Sequence, residues 1–370
     1  MKFRNFKMVG YVVYGRGSFN QLDEIIETHR NDDKPMIFLI DHFFSAGSGG
    51  KDRPLINRIP LRGHDKIVFA DVNYEPKTSQ VDKLAQDLKA EFGNVSGIVG
   101  IGGGSTMDLA KAVSLMMNNP GSSADYQGWD LVKYPGVYKV GIPTLSGTGA
   151  EVSRTCVLTG PTKKLGMNSD FTPFDQIVLD PELTANAPVN QRFYTGMDCY
   201  IHCIESLNGT YLNEFSKSYG EKALELCRKV FVEKPTRRPG GKEWDDESDD
   251  QLMMASYAGG MSIAYSQVGV AHAVSYGLSY LLGTKHGIGN CIVFDKLEEF
   301  YPEGVKEFKW MVEKNRIDIP QNITKDLTDE QFDIMINVSL GMKPLWENAL
   351  GKDWEKIMTR KKLRELYEKL

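Results

Sequence analysis

The chain reads as two architectures in series: an α/β doubly wound domain over residues 1–183 and an all-α domain over residues 184–370. Three observations lead there. At 370 residues it exceeds what one hydrophobic core usually serves. In the first half, short apolar runs alternate with amphipathic segments, the pattern of parallel strands joined by crossover helices. After Pro181 the strand-like runs almost vanish and three- and four-residue periodicities take over.

Taken in order, the strand candidates are Met36–Ile40 (MIFLI), Lys66–Ala70 (KIVFA), Gly97–Ile101 (GIVGI), Tyr138–Ile142 (YKVGI) and Gln176–Leu179 (QIVL). Between two of them, Val81, Leu84, Leu88 and Phe92 recur at helical steps over Gln80–Phe92. The boundary falls in DPELTANAPVN, where two prolines interrupt both patterns. Beyond it, helices are expected over Gly196–Leu207, Phe215–Val232, Gln251–Tyr265 and Val268–Leu282. The Pro-, Gly- and charge-rich stretch from Lys234 to Asp250 reads as a solvated loop, and Arg360–Leu370 as a mixed-charge surface helix.

Composition narrows the function classes. The apolar fraction of 41% and charged fraction of 25% are those of an ordinary globular protein. A formal charge of -5 argues against a nucleic-acid partner, which calls for a basic face. No window reaches the roughly 18 apolar residues of a membrane span, and the N-terminus lacks the continuous apolar region of a signal peptide. The expectation is therefore a cytoplasmic protein acting on a small molecule, without nucleic acid or membrane. The cysteines, Cys156, Cys199, Cys203, Cys227 and Cys291, form no Cys-x-x-Cys pair and read as buried, reduced thiols.

Three of the six histidines fall in two short segments of the helical half. In GMDCYIHCIES, Asp198 and His202 are four residues apart and would share one helix face. His272 and His286 lie in VGVAHAVSYGLSYLLGTKHGIGN. One carboxylate and three imidazoles can surround a borderline divalent ion, Fe2+ or Zn2+, and leave room for a substrate oxygen. Taken singly, each reads rather as a satisfied core histidine or a helix-surface aspartate; only the four in combination favour the metal.

The run GIVGIGGGSTMDLAKA is a buried strand, three glycines and a helix opening at Ser105. Glycines let the backbone approach a pyrophosphate, and helix N-terminal amides favour an anion. Gly102, Gly103, Gly104 and Ser105 are thus candidate cofactor contacts, with Asp108; Ser105 and Asp108 also fit a capping arrangement. The turn IPTLSGTGAEV offers the hydroxyls of Thr144, Ser146 and Thr148 at a strand end, where dinucleotides lie. Asp41, directly after MIFLI, could accept hydrogen bonds from ribose hydroxyls and repel a 2'-phosphate, favouring NAD over NADP; it equally reads as a loop cap. Lys164 and Leu183 complete the candidate cofactor set.

In this order, GGGSTMDLAK (102–111), IPTLSGTGAEVS (142–153), VLDPEL (178–183), GMDCYIHCIES (196–206) and the pair AHAV…KHGIGN resemble the iron-containing, or group III, alcohol dehydrogenase family. The resemblance implies an α/β Rossmann-like N-terminal domain, an all-α C-terminal domain and a homodimer. It also implies one metal on Asp198, His202, His272 and His286, beside a nicotinamide cofactor. Dehydroquinate synthase-like and glycerol dehydrogenase-like enzymes share this architecture, so fold alone does not choose among them.

One departure stands out. Where the family often has a histidine one turn after the third ligand, this chain has Tyr276, a possible proton relay or pocket residue whose phenol is a poorer shuttle near neutrality. Through Tyr276 and the segment at 126–155, the likeness extends to a branch that oxidises the C8 alcohol of the lipopolysaccharide sugar acid 3-deoxy-D-manno-octulosonate. A sugar-acid substrate would call for a cation, for which Arg154, Lys163 and Lys164 are candidates.

Overall fold

A computed structural model describes residues 6–45, 54–72, 75–185, 187–234 and 245–370. It divides into two compact units, Met1–Leu145 with Ala150–Asn186, and Ser146–Gly149 with Ala187–Leu370. The sequence expectation cut the chain once, after 183. By contact, 184 and 185 group with the first unit and the tetrapeptide 146–149 with the second.

The first unit is an open parallel sheet. Its strands are β1 (Tyr11–Tyr14), β2 (Met36–Asp41), β3 (Lys66–Ala70), β4 (Gly97–Gly102), β6 (Tyr138–Pro143) and β9 (Gln176–Leu179), after counting β5 (Gly128–Trp129), β7 (Thr155–Thr159) and β8 (Lys164–Asn168) in a second sheet. The order is β1-β9-β6-β4-β2-β3, with every pairing parallel. Helices α1 (Leu22–Ile26), α2 (Pro54–Asn57), α3 (Thr78–Phe92) and α4 (Gly104–Asn118) lie between the strands in the chain. Phe38, Ile40, Val99, Ile101, Val140, Ile142 and Val178 form the core on one side of this sheet, with Phe19, Leu22 and Ile26. These apolar runs are buried on both faces, as parallel strands under helices require.

The three-stranded sheet, β5-β8-β7, was not expected from sequence. Its strands TCVLT and KLGMN carry only short alternation, diluted by threonines and a lysine, and β7 pairs antiparallel with β8. Strand β1 was also missed. It is an edge strand with Tyr11 and Tyr14 largely exposed, so its sequence shows no buried run.

The second unit has no strand among its described residues. Its helices are α5 (Val189–Leu207), α6 (Glu214–Arg228), α7 (Asp246–Tyr265), α8 (Val270–Leu282), α9 (His286–Phe294), α10 (Pro302–Asn315), α11 (Asp329–Leu340), α12 (Lys343–Leu350), α13 (Trp354–Ile357) and α14 (Arg360–Tyr367). Helix α5 packs against α6, α7 and α9, while α8 packs against α9 and α11. None of the described helices is long and apolar enough to cross a membrane.

Two expectations for this half need correction. The stretch 234–250 is not loop throughout: Asp245 caps Ser248 and α7 starts at Asp246, with acidic residues at the helix's positive end; residues 235–244 lie outside the described set. The C-terminal helix is more than a surface element. Leu363, Leu366 and Tyr367 are buried, and the Tyr367 hydroxyl donates to the Val274 carbonyl of α8.

Candidate metal centre

Three helices of the second unit deliver the cluster. Helix α5 buries nearly its whole length and carries Asp198 and His202 one turn apart. His272 lies in the first turn of α8, and His286 is the first residue of α9. His202 Nε2 is 3.7 Å and His272 Nε2 3.4 Å from Asp198 Oδ1, and His286 Nε2 is 3.6 Å from Asp198 Oδ2. One ligand atom from each of the four lies within 4.8 Å of all the others. Ligands about 2.1 Å from a central ion, arranged tetrahedrally, stand about 3.4 Å apart. The spacing therefore suits one divalent cation.

A second observation supports that fit. Asp198 is fully buried with no Lys or Arg in its ion pairs, and neither Asp198 Oδ2 nor His202 Nδ1 has a hydrogen-bond partner. A buried carboxylate oxygen without a donor is costly unless a cation meets it. Burial pushes the Asp198 carboxyl up, but His286, His202 and His272 outweigh it and hold the group well below the usual range. At His202 burial wins over Asp198, lowering the imidazole to about 4. At His272 burial is outweighed by the Glu205 and Asp198 carboxylates, raising the ring to about 9.

Two buried side chains in this cluster escaped the sequence reading. Asn290, one turn into α9, aims its amide nitrogen at Asp198 Oδ1 (2.6 Å), His272 Nε2 (3.0 Å) and His286 Nε2 (3.2 Å). An amide nitrogen only donates, so this contact at His272 Nε2 calls for the lone pair on that nitrogen, the form that ligates and the one that a bound cation would favour over the protonated ring. Glu205 faces His272 Nδ1 at 2.5 Å. Both carry a spacing signal. Asp198, His202 and Glu205 follow an i, i+4, i+7 stripe, and His286 and Asn290 are four apart at the start of a helix.

Tyr276, also on α8, meets His286 edge-on with ring centroids 6.1 Å apart. The phenol thus stands beside one histidine of the cluster rather than in it.

The cofactor candidates distribute as follows. Gly102 ends β4, and a Cβ there would meet Thr106 Oγ1 at 2.4 Å, so only glycine allows the strand to turn so tightly into α4. Helix α4 opens at Gly104, not Ser105; Gly103 precedes it in extended conformation without a side-chain cap. Asp108 does not form a capping box either. It accepts the Val157 N–H at 3.0 Å. Burial drives its carboxyl up to about 7, against the pull of Lys111. Lys111 in turn is buried on the carbonyls of Ala150, Ser153 and Thr155.

Thr144 donates its N–H to Gly102 O. Ser146 and Thr148 belong to the tetrapeptide of the second unit, where Gly149 N–H reaches Ser256 Oγ at 3.4 Å. Asp41 Oδ1 accepts the Phe43 N–H at 2.9 Å, so it does cap the turn after β2. Leu183 packs against the first unit's core from the turn after β9.

The three candidate cations for a sugar acid are all engaged. Lys164 is buried against Glu75 Oε2 at 2.5 Å. Arg154 joins Asp130 and Asp170, and Lys163 donates to Gln127 O. All five cysteines are buried and free.

An open parallel sheet with a glycine-rich turn, joined in sequence to a helical unit that buries one carboxylate among three imidazoles, defines a class of two-unit metal-site proteins. Residues 10–181 match the family model described as iron-containing alcohol dehydrogenase, and residues 192–335 match the Fe-containing alcohol dehydrogenase family, C-terminal. The chain belongs to the iron-containing alcohol dehydrogenase family.

Among its relatives, alcohol dehydrogenase 4 of Schizosaccharomyces pombe is 29% identical over 63% of this chain and 54% of its own length. Sulfoacetaldehyde reductase of Bilophila wadsworthia is 30% identical over 65% of this chain and 60% of its own. The match thus spans less than two thirds of either relative. The solved structure of sulfoacetaldehyde reductase from Bifidobacterium kashiwanohense, in complex with NAD+, superposes with a TM-score of 0.76 at 23% identity, covering 99% of this chain and 98% of that one.

Proposed function

We propose that this chain is a metal-dependent alcohol dehydrogenase that removes hydride from an alcohol carbon to a nicotinamide cofactor. The observation that carries the reading is the convergence of buried Asp198, His202 and His272 with partly buried His286, each imidazole Nε2 lying 3.4 to 3.7 Å from the Asp198 carboxylate, and an Asp198 Oδ2 without a hydrogen-bond donor. A divalent cation held by these four would supply Lewis acidity that lowers the pKa of a substrate hydroxyl, and NAD would accept the hydride.

The chain's own residues do the rest. Asp198 offsets part of a cation's charge and its buried surroundings keep water away, which strengthens electrostatic effects at the site. Asn290 donates to Asp198 Oδ1 and so leaves Oδ2 turned to the cluster's interior. Tyr276, beside His286, can donate a hydrogen bond to substrate or relay a proton through water, and shapes the pocket wall. The amides at the start of α4, uncapped by any side chain, suit the cofactor's pyrophosphate. Gly102, Gly103, Gly104, Ser105, Asp108, Thr144, Ser146, Thr148, Lys164 and Leu183 are the proposed contacts to that cofactor, and Asp41 the ribose acceptor favouring NAD.

The reading takes Fe2+ or Zn2+ as the ion, a homodimer as the working form and the cytoplasm as its location. Its most specific version makes the substrate the C8 hydroxyl of 3-deoxy-D-manno-octulosonate. A screen of simple alcohols and sugar acids with NAD+, under defined metal loading, tests both levels through the absorbance of reduced cofactor. Net NADH accumulation with any alcohol supports the dehydrogenase. Cofactor recycling without accumulation points instead to dehydroquinate synthase-like chemistry. No turnover by a fully loaded protein on any alcohol would sink the proposal.

A further inference from the structure

Glu205 is buried on α5 with no Lys or Arg among its partners, a placement that is costly unless its lone pairs are met. They are met in one direction only. Oε1 accepts the Ala271 N–H at 2.5 Å, and Oε2 accepts the Gly269 N–H at 2.8 Å and faces His272 Nδ1 at 2.5 Å. Gly269 is the residue that precedes α8 and has no side-chain cap of its own. A carboxylate from one helix thus caps the N-terminus of another and grips the imidazole in its first turn.

That arrangement has a consequence for the ring. A neutral imidazole carries one N–H, and a carboxylate at Nδ1 fixes that hydrogen there. Nε2 is left with its lone pair directed at Asp198 and His286, the side on which Asn290 also donates to it. The cap on Gly269 and Ala271 fixes where the ring's own backbone sits, so both the tautomer and the position of His272 follow from one side chain.

We propose that Glu205 is the positioning residue of the metal centre: by binding His272 Nδ1–H and the amides of 269 and 271 together, it holds His272 ready to ligate a divalent cation through Nε2. This rests on the four-residue metal reading above. Carboxylates so placed behind ligating histidines typically matter by 10–100-fold in metal affinity.

The test uses the full-length protein and its affinity for zinc and cobalt(II) by chelator competition, with the visible spectrum of the cobalt form. Glu205→Gln keeps the shape but turns an NH2 group toward a donor, either the amides or Nδ1–H. The expected result is a metal dissociation constant raised roughly 10- to 100-fold, with an altered cobalt spectrum. Tyr301→Phe is the structural control, since the Tyr301 hydroxyl also faces the start of α8 (3.4 Å from Val270 N) without touching His272. It should shift melting but leave affinity and spectrum in place.

Independently of any variant that fails to fold, nitrogen-15 spectra of the loaded parent should show His272 protonated at Nδ1. An Nε2–H tautomer, or Glu205→Gln matching the parent in affinity and spectrum, overturns the positioning role. A parent that binds neither metal overturns the metal reading itself, and the positioning role with it.

Discussion

The rings of His202 and His272 stack with centroids 4.7 Å apart and planes inclined by 23°. Two helices are therefore locked face to face at the cluster, and each ring limits how far the other can turn. Replacing one should disturb both. His202→Ala is expected to reduce bound metal from near stoichiometric to a minor fraction. It should also lower turnover by about a thousandfold or more, since a cation supplies several kcal/mol of charge stabilisation. Metal analysis of the purified variant beside its kinetics checks this. A variant that retains metal and rate removes His202 from the ligand set.

Metal removal should also destabilise the helical unit. A ligand that binds only the folded state at a hundred times its dissociation constant adds about 2.7 kcal/mol, which corresponds to several degrees of melting temperature. Melting curves with and without a chelator, followed by zinc add-back, should show that loss and its recovery. Superimposable curves would mean that the four side chains hold nothing.

Asp108 gives a pH signature in the first unit. Its folded pKa of about 7 lies above the unfolded value of 3.8, chiefly through burial and against the opposing pull of Lys111. The folded state thus binds more protons than the unfolded state between about pH 4 and pH 7. Asp108's contribution is fully present below pH 4 and is lost as pH rises through 7. Asp108→Asn has no such titration, so its stability relative to the parent should climb across that window by a few kcal/mol and level off above it. Denaturant unfolding at several pH values measures the gap, and a gap flat from pH 4 to 7 rejects the assignment.

Gly147 sits in the loop that carries Ser146 and Thr148. Its φ is +139°, and a Cβ there would lie 1.7 Å from the Thr195 carbonyl oxygen. Gly147→Ala must therefore move backbone, which costs several kcal/mol. A lower melting temperature together with weaker NAD+ binding is expected. Unchanged melting would show that the loop relaxes freely, and unchanged NAD+ binding would place the cofactor elsewhere.

Much of this protein is set by local sequence. The runs MIFLI, GIVGI, YKVGI and QIVL became largely buried parallel strands because a strand covered on both faces must be apolar at consecutive positions, whereas KIVFA forms an edge strand with Phe69 exposed. Asp198 and His202 share a helix face because helical geometry places residues four apart together. What pattern alone could not supply was anything depending on partners distant in the chain. Strand β1 is an edge, and β7 and β8 stabilise each other by pairing; the start of α7, by contrast, was legible locally, since Asp245 caps it five residues before the expected Gln251.

The same division holds at the centre. Sequence spacing could align Asp198 with His202, but tertiary packing alone brings His272 and His286 to the same point. Packing also decides that Glu205 and Asn290 stand behind and among them and that Lys164 ends against Glu75. Spacing along one helix is a short-range property of the backbone. Convergence of three helices depends on how their buried faces fit, and that is written across the whole core rather than in any one segment.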